Sequence, residues 1–200
     1  MTLFAEARHL SSAKAPLVLL HGFGGIGASW APVIERLEPH QPLVVYDLPG
    51  HGRSLDAEGV GHAGVMAKAI LADLDRRGIS SFHLGGHSMG GAIASLIALR
   101  ARDRVASLTL VAPGGFGPEI DHQALRRYGL AVEPDELAVR LAAMAAQGVA
   151  FEAAALDRLA AARRIAGATD RLMEILQSFL VETDERIGQG TLPLSSFSDL

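Results

Sequence analysis

The sequence predicts an α/β fold: a mostly parallel sheet flanked by helices and followed by a helical cap. Three observations carry this. Up to about residue 112, apolar runs of strand length alternate with stretches of helix length, the pattern of βαβ units. The clearest run, Leu43-Val44-Val45-Tyr46, is apolar without alternation, as suits a strand covered on both faces. After Pro113 the chain becomes rich in Ala, Leu, Glu and Arg up to about Gly190, which is helix composition.

Leu17–Leu20, Leu43–Tyr46 and Val105–Ala112 read as buried strands, with Phe82–Gly85 as a weaker fourth. Ala28–Leu37, His62–Arg77 and Gly91–Arg100 read as the intervening helices. "APGGFGP" is a loop by composition. Beyond it Pro134 suits a first helical position and Gly148 a stop, giving a helix over Asp135–Gln147. Glu152–Ala166 and Asp170–Val181 follow as helices, and no strand is expected in this half.

The bulk numbers set the class. The 200 residues are 49% hydrophobic and 20% charged, a composition for one globular domain. A net charge of −4 gives no electrostatic reason to expect nucleic acid or an anionic membrane as partner. There is no cysteine, which excludes disulfides, thiolate metal sites and a cysteine nucleophile; no metal and no cofactor are expected. "MTLFAEARHLSSAKAP" lacks the basic start and apolar core of a signal peptide. The longest apolar stretch, Ala92 to Leu99, is far short of a membrane span. The expected location is the cytoplasm.

Two glycine turns carry the chemistry. "HGFGGIG" (residues 21–27) follows the first apolar run and contains Gly22-x-Gly24-x-x-Gly27, with Asp47 ending the next strand 20 residues on. That is the spacing of a dinucleotide-binding turn and its ribose-binding acid. The second turn, Gly86-His87-Ser88-Met89-Gly90, is G-x-S-x-G between a strand and a helix. There a serine is exposed at a strained turn, and the next amide points with the helix N-terminus. A dinucleotide fold gives no reason for this second turn. Asp47 also runs straight into Leu48-Pro49-Gly50-His51-Gly52, which would crowd an adenosine. Asp47 is therefore read as structural, capping that turn or pairing with Arg53.

"LVLLHGFGG", "VVYDLPGHGRS" and "GGHSMGGA", in that order, make the chain resemble the α/β-hydrolase superfamily from about residue 16 to 112. "APGGFGPEI" and the length of the helical segment resemble its carboxylesterases, C–C bond hydrolases and the hydrolase-like subunit of acetoin cleavage. The resemblance implies Ser88 as nucleophile. It implies an oxyanion hole from the amides of Phe23 and Met89 with help from Gly24, and His21, Gly22, His87, Gly86 and Gly90 as residues that shape the site. The substrate class it implies is a small ester, acyl or C–C compound. It divides the chain into a hydrolase core over 1–117, a helical cap over 118–190, and 191–200 as the start of a return to the core. Phe116, Tyr128, Met144 and Phe151 are candidates to line a pocket in the cap, or to be simply core. Trp30 is expected to pack under the first helix.

A serine triad in this fold runs Ser, then acid, then His. After Ser88 the sequence holds only His122, with Asp103, Glu119 and Asp121 between them. Asp103 follows the helix that begins at the nucleophile, and the other two are too near His122 to orient it from a separate strand. The remaining histidines read as turn, surface or element-end positions. The resemblance implies two further strands carrying acid and histidine. The last strands are thus expected to be absent, the acid and base to lie beyond residue 200, and activity to be impaired. Val105–Val111 would then be an edge strand with apolar residues on both faces, and the chain would self-associate through it. The alternatives are a non-catalytic, hydrolase-like remnant or binding protein, and an NAD(P)-linked oxidoreductase.

Overall fold

The computed structural model describes residues 2–37, 39–184 and 186–197. β2 (Leu17–Leu20), β3 (Leu43–Tyr46), β4 (Phe82–His87) and β5 (Val105–Val111) form a parallel sheet, and β1 (Ala5–Arg8) adds an antiparallel strand beside β3. The order is β1-β3-β2-β4-β5. All four residues of β3 are buried, as its unbroken apolar run requires.

Each face of the sheet has its own cover. Val18, Leu20, Val44, Tyr46, Phe82 and Leu84 pack with α2 (Ala63–Arg76) and α3 (Met89–Arg100) through Met66, Ile70, Leu74, Ile93 and Ile97. On the opposite face Leu19, Leu43 and Val45 meet Trp30, Ile34 and Leu37, so Trp30 packs as expected. The period-two split of Val18/Leu20 from Leu17/Leu19 between the two clusters follows from alternating side-chain directions along a strand. α3 is buried over most of its length because it lies between the sheet and α2.

Four elements differ from the sequence expectation. The helix over Ala28–Leu37 shrinks to a 3-10 turn at Gly27–Trp30 and a single turn α1 (Ala31–Ile34). Arg36 and Leu37 then donate to carbonyls three residues back, tightening the end ahead of Pro39. β1 is an edge strand that the sequence pattern does not predict. Its residues are mostly exposed and half charged, so it has no apolar signal. α4 (His122–Leu130) is an unexpected short polar helix, capped by Asp121 accepting from the Ala124 amide at 2.8 Å. A hairpin of β6 (Leu180–Glu182) and β7 (Ile187–Gln189) follows the helices. Strands of three residues are too short to leave a period in the sequence.

Between α4 and that hairpin run α5 (Pro134–Met144), α6 (Ala153–Arg163) and α7 (Ala168–Phe179). The hairpin ties this segment back to the loop after β5. The Gln189 amide donates to the Pro118 carbonyl at 2.9 Å and the Leu192 amide to that of Gly115 at 2.7 Å. Of residues 191–200, Leu194–Phe197 form a 3-10 turn and 198–200 lie outside the described residues. β5 is an edge of the sheet among the described residues, with Ala106, Ser107, Thr109 and Val111 exposed. No described helix is long and apolar enough to cross a membrane.

Candidate active site

The turn between β4 and α3 holds Ser88 at φ 52°, ψ −118°, a strained conformation for a residue with a Cβ. The strain is held from both sides. The Ser88 amide donates to the Val111 carbonyl at 3.0 Å, and its own carbonyl accepts from Gly91, Ala92 and Gly114 at 2.9–3.1 Å. Gly86 and Gly90 are small because the chain crosses itself here. A Cβ on Gly86 would run into the Gly90 carbonyl, and one on Gly90 into the carbonyls of Leu20 and His21.

That second contact brings the other glycine turn to the serine. A Cβ on Gly22 would lie 3.1 Å from Ser88 Cβ and 2.9 Å from His87 Nδ1. His21-Gly22-Phe23 therefore runs alongside the serine, at the carboxyl edge of the sheet. Met89 is the first residue of α3, so its amide has no partner within the helix. Among the described residues no acceptor is paired with the amides of Phe23 or Met89. Met89 follows Ser88 directly, and Phe23 follows the Gly22 that abuts it.

Two neutral histidines fix the loop. The buried His21 accepts from the Leu48 amide at Nε2 (2.9 Å), so its proton is on Nδ1, which donates to the Gly22 carbonyl at 2.8 Å. Burial is the main cause that lowers its pKa to about 4. His51 is built the same way: Nε2 accepts from the Gly24 amide at 3.1 Å and Nδ1 donates to the Pro49 carbonyl at 3.1 Å. Burial, then the neighbouring His21, hold its pKa well below the usual value. The two rings meet edge to face with centroids 5.0 Å apart. The Gly24 amide, expected to help an oxyanion hole, is paired with His51 in this structure.

Asp47 joins the two loops. Its Oδ1 accepts from the Gly27 amide at 2.6 Å and its Oδ2 from the Arg53 amide at 2.9 Å. The partner is Arg53's backbone, because its guanidinium lies over the Phe4 ring, 3.8 Å from the centroid. A buried carboxylate with both oxygens engaged does not fit a ribose. The glycine loop also leads into a 3-10 turn and one turn of helix, too short to offer a pyrophosphate a helix N-terminus. The geometry of the dinucleotide reading is therefore not met.

The helical segment closes over these loops. Phe23 meets His51, Tyr128 and Phe179 in edge-to-face contacts at centroid distances of 6.0–6.5 Å. The Gly24 carbonyl accepts from Tyr128 Oη at 3.1 Å and from Arg163 Nη2 at 2.8 Å. Tyr128 is thus part of the site's frame, Phe151 packs at the margin of the core, and Met144 and Phe116 are exposed. Arg163 was not singled out from the sequence. The signal was present: Leu156, Leu159, Ala160 and Arg163 recur at i, i+3, i+4 and i+7, and all four are buried.

Among the described residues no side chain is hydrogen-bonded to Ser88 Oγ. The His122 ring is paired with the Gln123 amide at 3.1 Å, and Asp121 is used as the α4 cap.

Known proteins agree with this architecture. Residues 15–152 match the family model described as alpha/beta hydrolase fold. A dihydrolipoyllysine-residue acetyltransferase component of an acetoin cleaving system from Pseudomonas putida is 34% identical over 160 residues, covering 80% of this chain and 43% of that protein. A pimeloyl-[acyl-carrier protein] methyl ester esterase from Pectobacterium carotovorum is 46% identical over 98 residues, covering 48% of this chain and 36% of the esterase. The chain thus spans less than half the length of these curated relatives. A thermophilic esterase from Thermogutta terrifontis superposes with a TM-score of 0.63 at 22% identity, covering 88% of this chain and 66% of the esterase. At that identity the likeness speaks to the fold alone.

Proposed function

The chain belongs to the alpha/beta hydrolase fold family, and from that premise we propose that it is a serine hydrolase acting on an ester or related acyl or C–C substrate through an acyl-enzyme on Ser88. The observation that carries the reading is the strained Ser88 at the start of α3, with the His21-Gly22-Phe23 loop packed against it; the amides of Phe23 and Met89, with no acceptor among the described residues, are the proposed oxyanion donors. Ser88 Oγ attacks the carbonyl carbon, and the electron pair of the C=O bond moves onto oxygen. The resulting oxyanion accepts from the two amides. Collapse expels the leaving group, which takes the proton lost from Ser88 Oγ, and water then cleaves the Ser88 ester, its hydroxyl going to the acyl carbon to free the acid and its other proton restoring Ser88 Oγ–H. Residues 118–190 act as a cap that covers the acyl group.

A serine without a base is a weak nucleophile. With no base paired to Ser88 among the described residues, this 200-residue chain is expected to turn over short p-nitrophenyl esters slowly. Oxyanion stabilisation and binding alone leave some residual rate over water. The same observation favours the second reading, a binding protein that keeps the site without the chemistry. A fluorophosphonate probe separates the two. Labelling that disappears in Ser88→Ala supports an activated serine. Equal reactivity of the wild type and Ser88→Ala supports the binding protein.

A further inference from the structure

The helical segment grips the Gly24 carbonyl of the glycine loop directly, with two donors from two helices. Tyr128 on α4 donates through Oη at 3.1 Å and Arg163 on α6 through Nη2 at 2.8 Å. The same guanidinium donates through Nη1 to the Gly129 carbonyl at 2.8 Å, and it stacks on the Tyr128 ring, 4.9 Å from the centroid. Arg163 is only 5% exposed, yet among the described residues it has no carboxylate partner. A buried cation with only carbonyls and a ring to offset its desolvation is costly. That cost needs a purpose other than stability.

Gly24 shows what the grip displaces. It sits at φ +68°, and a Cβ there would collide with the Arg163 guanidinium and the Tyr128 ring. On the loop's other side the Gly24 amide is held by His51. Both polar groups of this one residue are therefore fixed, and the next residue back is Phe23, which follows the Gly22 that abuts Ser88. A single planar fork spanning the Gly24 and Gly129 carbonyls is something arginine can do and lysine, a point donor, cannot.

We propose that Arg163, seconded by Tyr128, is a positioning residue that locks the helical segment onto Gly24 and so sets the direction of the Phe23 amide beside Ser88. This rests on the serine-hydrolase reading for its chemical consequence but not for the lock itself. Closure of the helical segment and assembly of the oxyanion hole are then one event: the loop is in register only when α4 and α6 are seated. The buried charge also lies close enough to His21 and His51 to disfavour their protonation. It thereby adds to burial, the main cause, in keeping both rings in the neutral form that holds the loop.

The test uses the full chain with Arg163→Met, Arg163→Lys, Arg163→Ala and Tyr128→Phe. Two readouts are taken on protein that retains its cooperative unfolding transition. The first is amide hydrogen exchange at Gly24 and Gly25. Faster exchange in Arg163→Met and Tyr128→Phe, with core strands unchanged, supports the lock; unchanged protection overturns it, whatever the enzyme does. The second is the rate of fluorophosphonate labelling of Ser88. It is expected to fall about tenfold to hundredfold in Arg163→Met and Arg163→Lys. Guanidinium ion below denaturing concentrations should partly restore it in Arg163→Ala. Labelling within twofold of wild type in a folded Arg163→Met overturns the proposal. A wild type that does not label at Ser88 defeats the hydrolase reading instead, and the exchange measurement still decides the lock.

Discussion

At the scale of single residues the site is a set of backbone positions that side chains would spoil or must hold. Gly90 is the sharpest case, since a methyl there meets two carbonyls of the neighbouring loop. Gly90→Ala is expected to destabilise by about 1–3 kcal/mol or more, the cost of overpacking against atoms that cannot turn aside. Urea unfolding measures this, and a loss below about 0.5 kcal/mol would mean that the loop and elbow can separate freely. His21 and His51 give a pH prediction with a definite sign. Both bind protons less readily in the folded chain than their ordinary value of 6.5, His21 down to about 4. The unfolded chain therefore takes up protons first as pH falls. Their contribution is complete above pH 6.5 and is lost as the pH falls below it, for His21 down to about pH 4 at about 1.4 kcal/mol per pH unit, and for His51 in the same direction. His51→Gln removes one of these titrating groups, so the slope of stability against pH below pH 6.5 should become shallower. Slopes that match in the two proteins would show that the folded rings titrate normally.

At the scale of elements, the legible parts are those whose apolar pattern is dictated by packing. β2, β3, β4, α2 and α3 each sit between two covered surfaces, so burial wrote their residues. β1, α4 and the β6–β7 hairpin lie at edges or on the outside, where polar residues are tolerated and no period survives. The serine turn was legible because steric crowding demands glycine at two fixed positions. Phe23's place beside it came from the resemblance. The holds of His51, Tyr128 and Arg163 depend on contacts up to 139 residues apart in sequence, which no local pattern encodes. A similar long-range tie joins β3 to α2. The fully buried Tyr46 hydroxyl donates to Asp73 at 2.7 Å, and Asp73 also accepts from Arg76 and Arg77 at 2.9 and 2.6 Å. Burial alone would raise the Asp73 pKa, but the bonds from Arg77, Tyr46 and Arg76 prevail and hold it below the usual range. Asp73→Ala strands the Tyr46 hydroxyl and is expected to cost about 2–3 kcal/mol, against about 1 kcal/mol for Tyr46→Phe. Because they share one bond, the double variant should lose less than the sum. Strict additivity in chemical denaturation would show that the bond contributes nothing.

At the scale of the whole molecule, the two edges of the sheet are unlike. β1 presents Glu6 and Arg8, both charged and exposed, which discourages another strand from pairing there. β5 presents Ala106, Ser107, Thr109 and Val111 without a charge among them, and Val111 is 45% exposed. Among the described residues its backbone is paired with β4 on one side only. An uncharged seven-residue edge with β-branched residues is a template for another copy of itself. The chain is therefore expected to associate reversibly through β5 as concentration rises. Placing a charge at the centre of that edge, Thr109→Lys, should raise the monomer fraction while leaving the fold intact, because the side chain is exposed and not bonded into the elbow. Arg8→Ala, on the other edge, should change nothing. Light scattering across a concentration series reads both variants against the wild type. A wild type that stays monomeric at high concentration, or association that Thr109→Lys leaves untouched, rules out β5 as the contact.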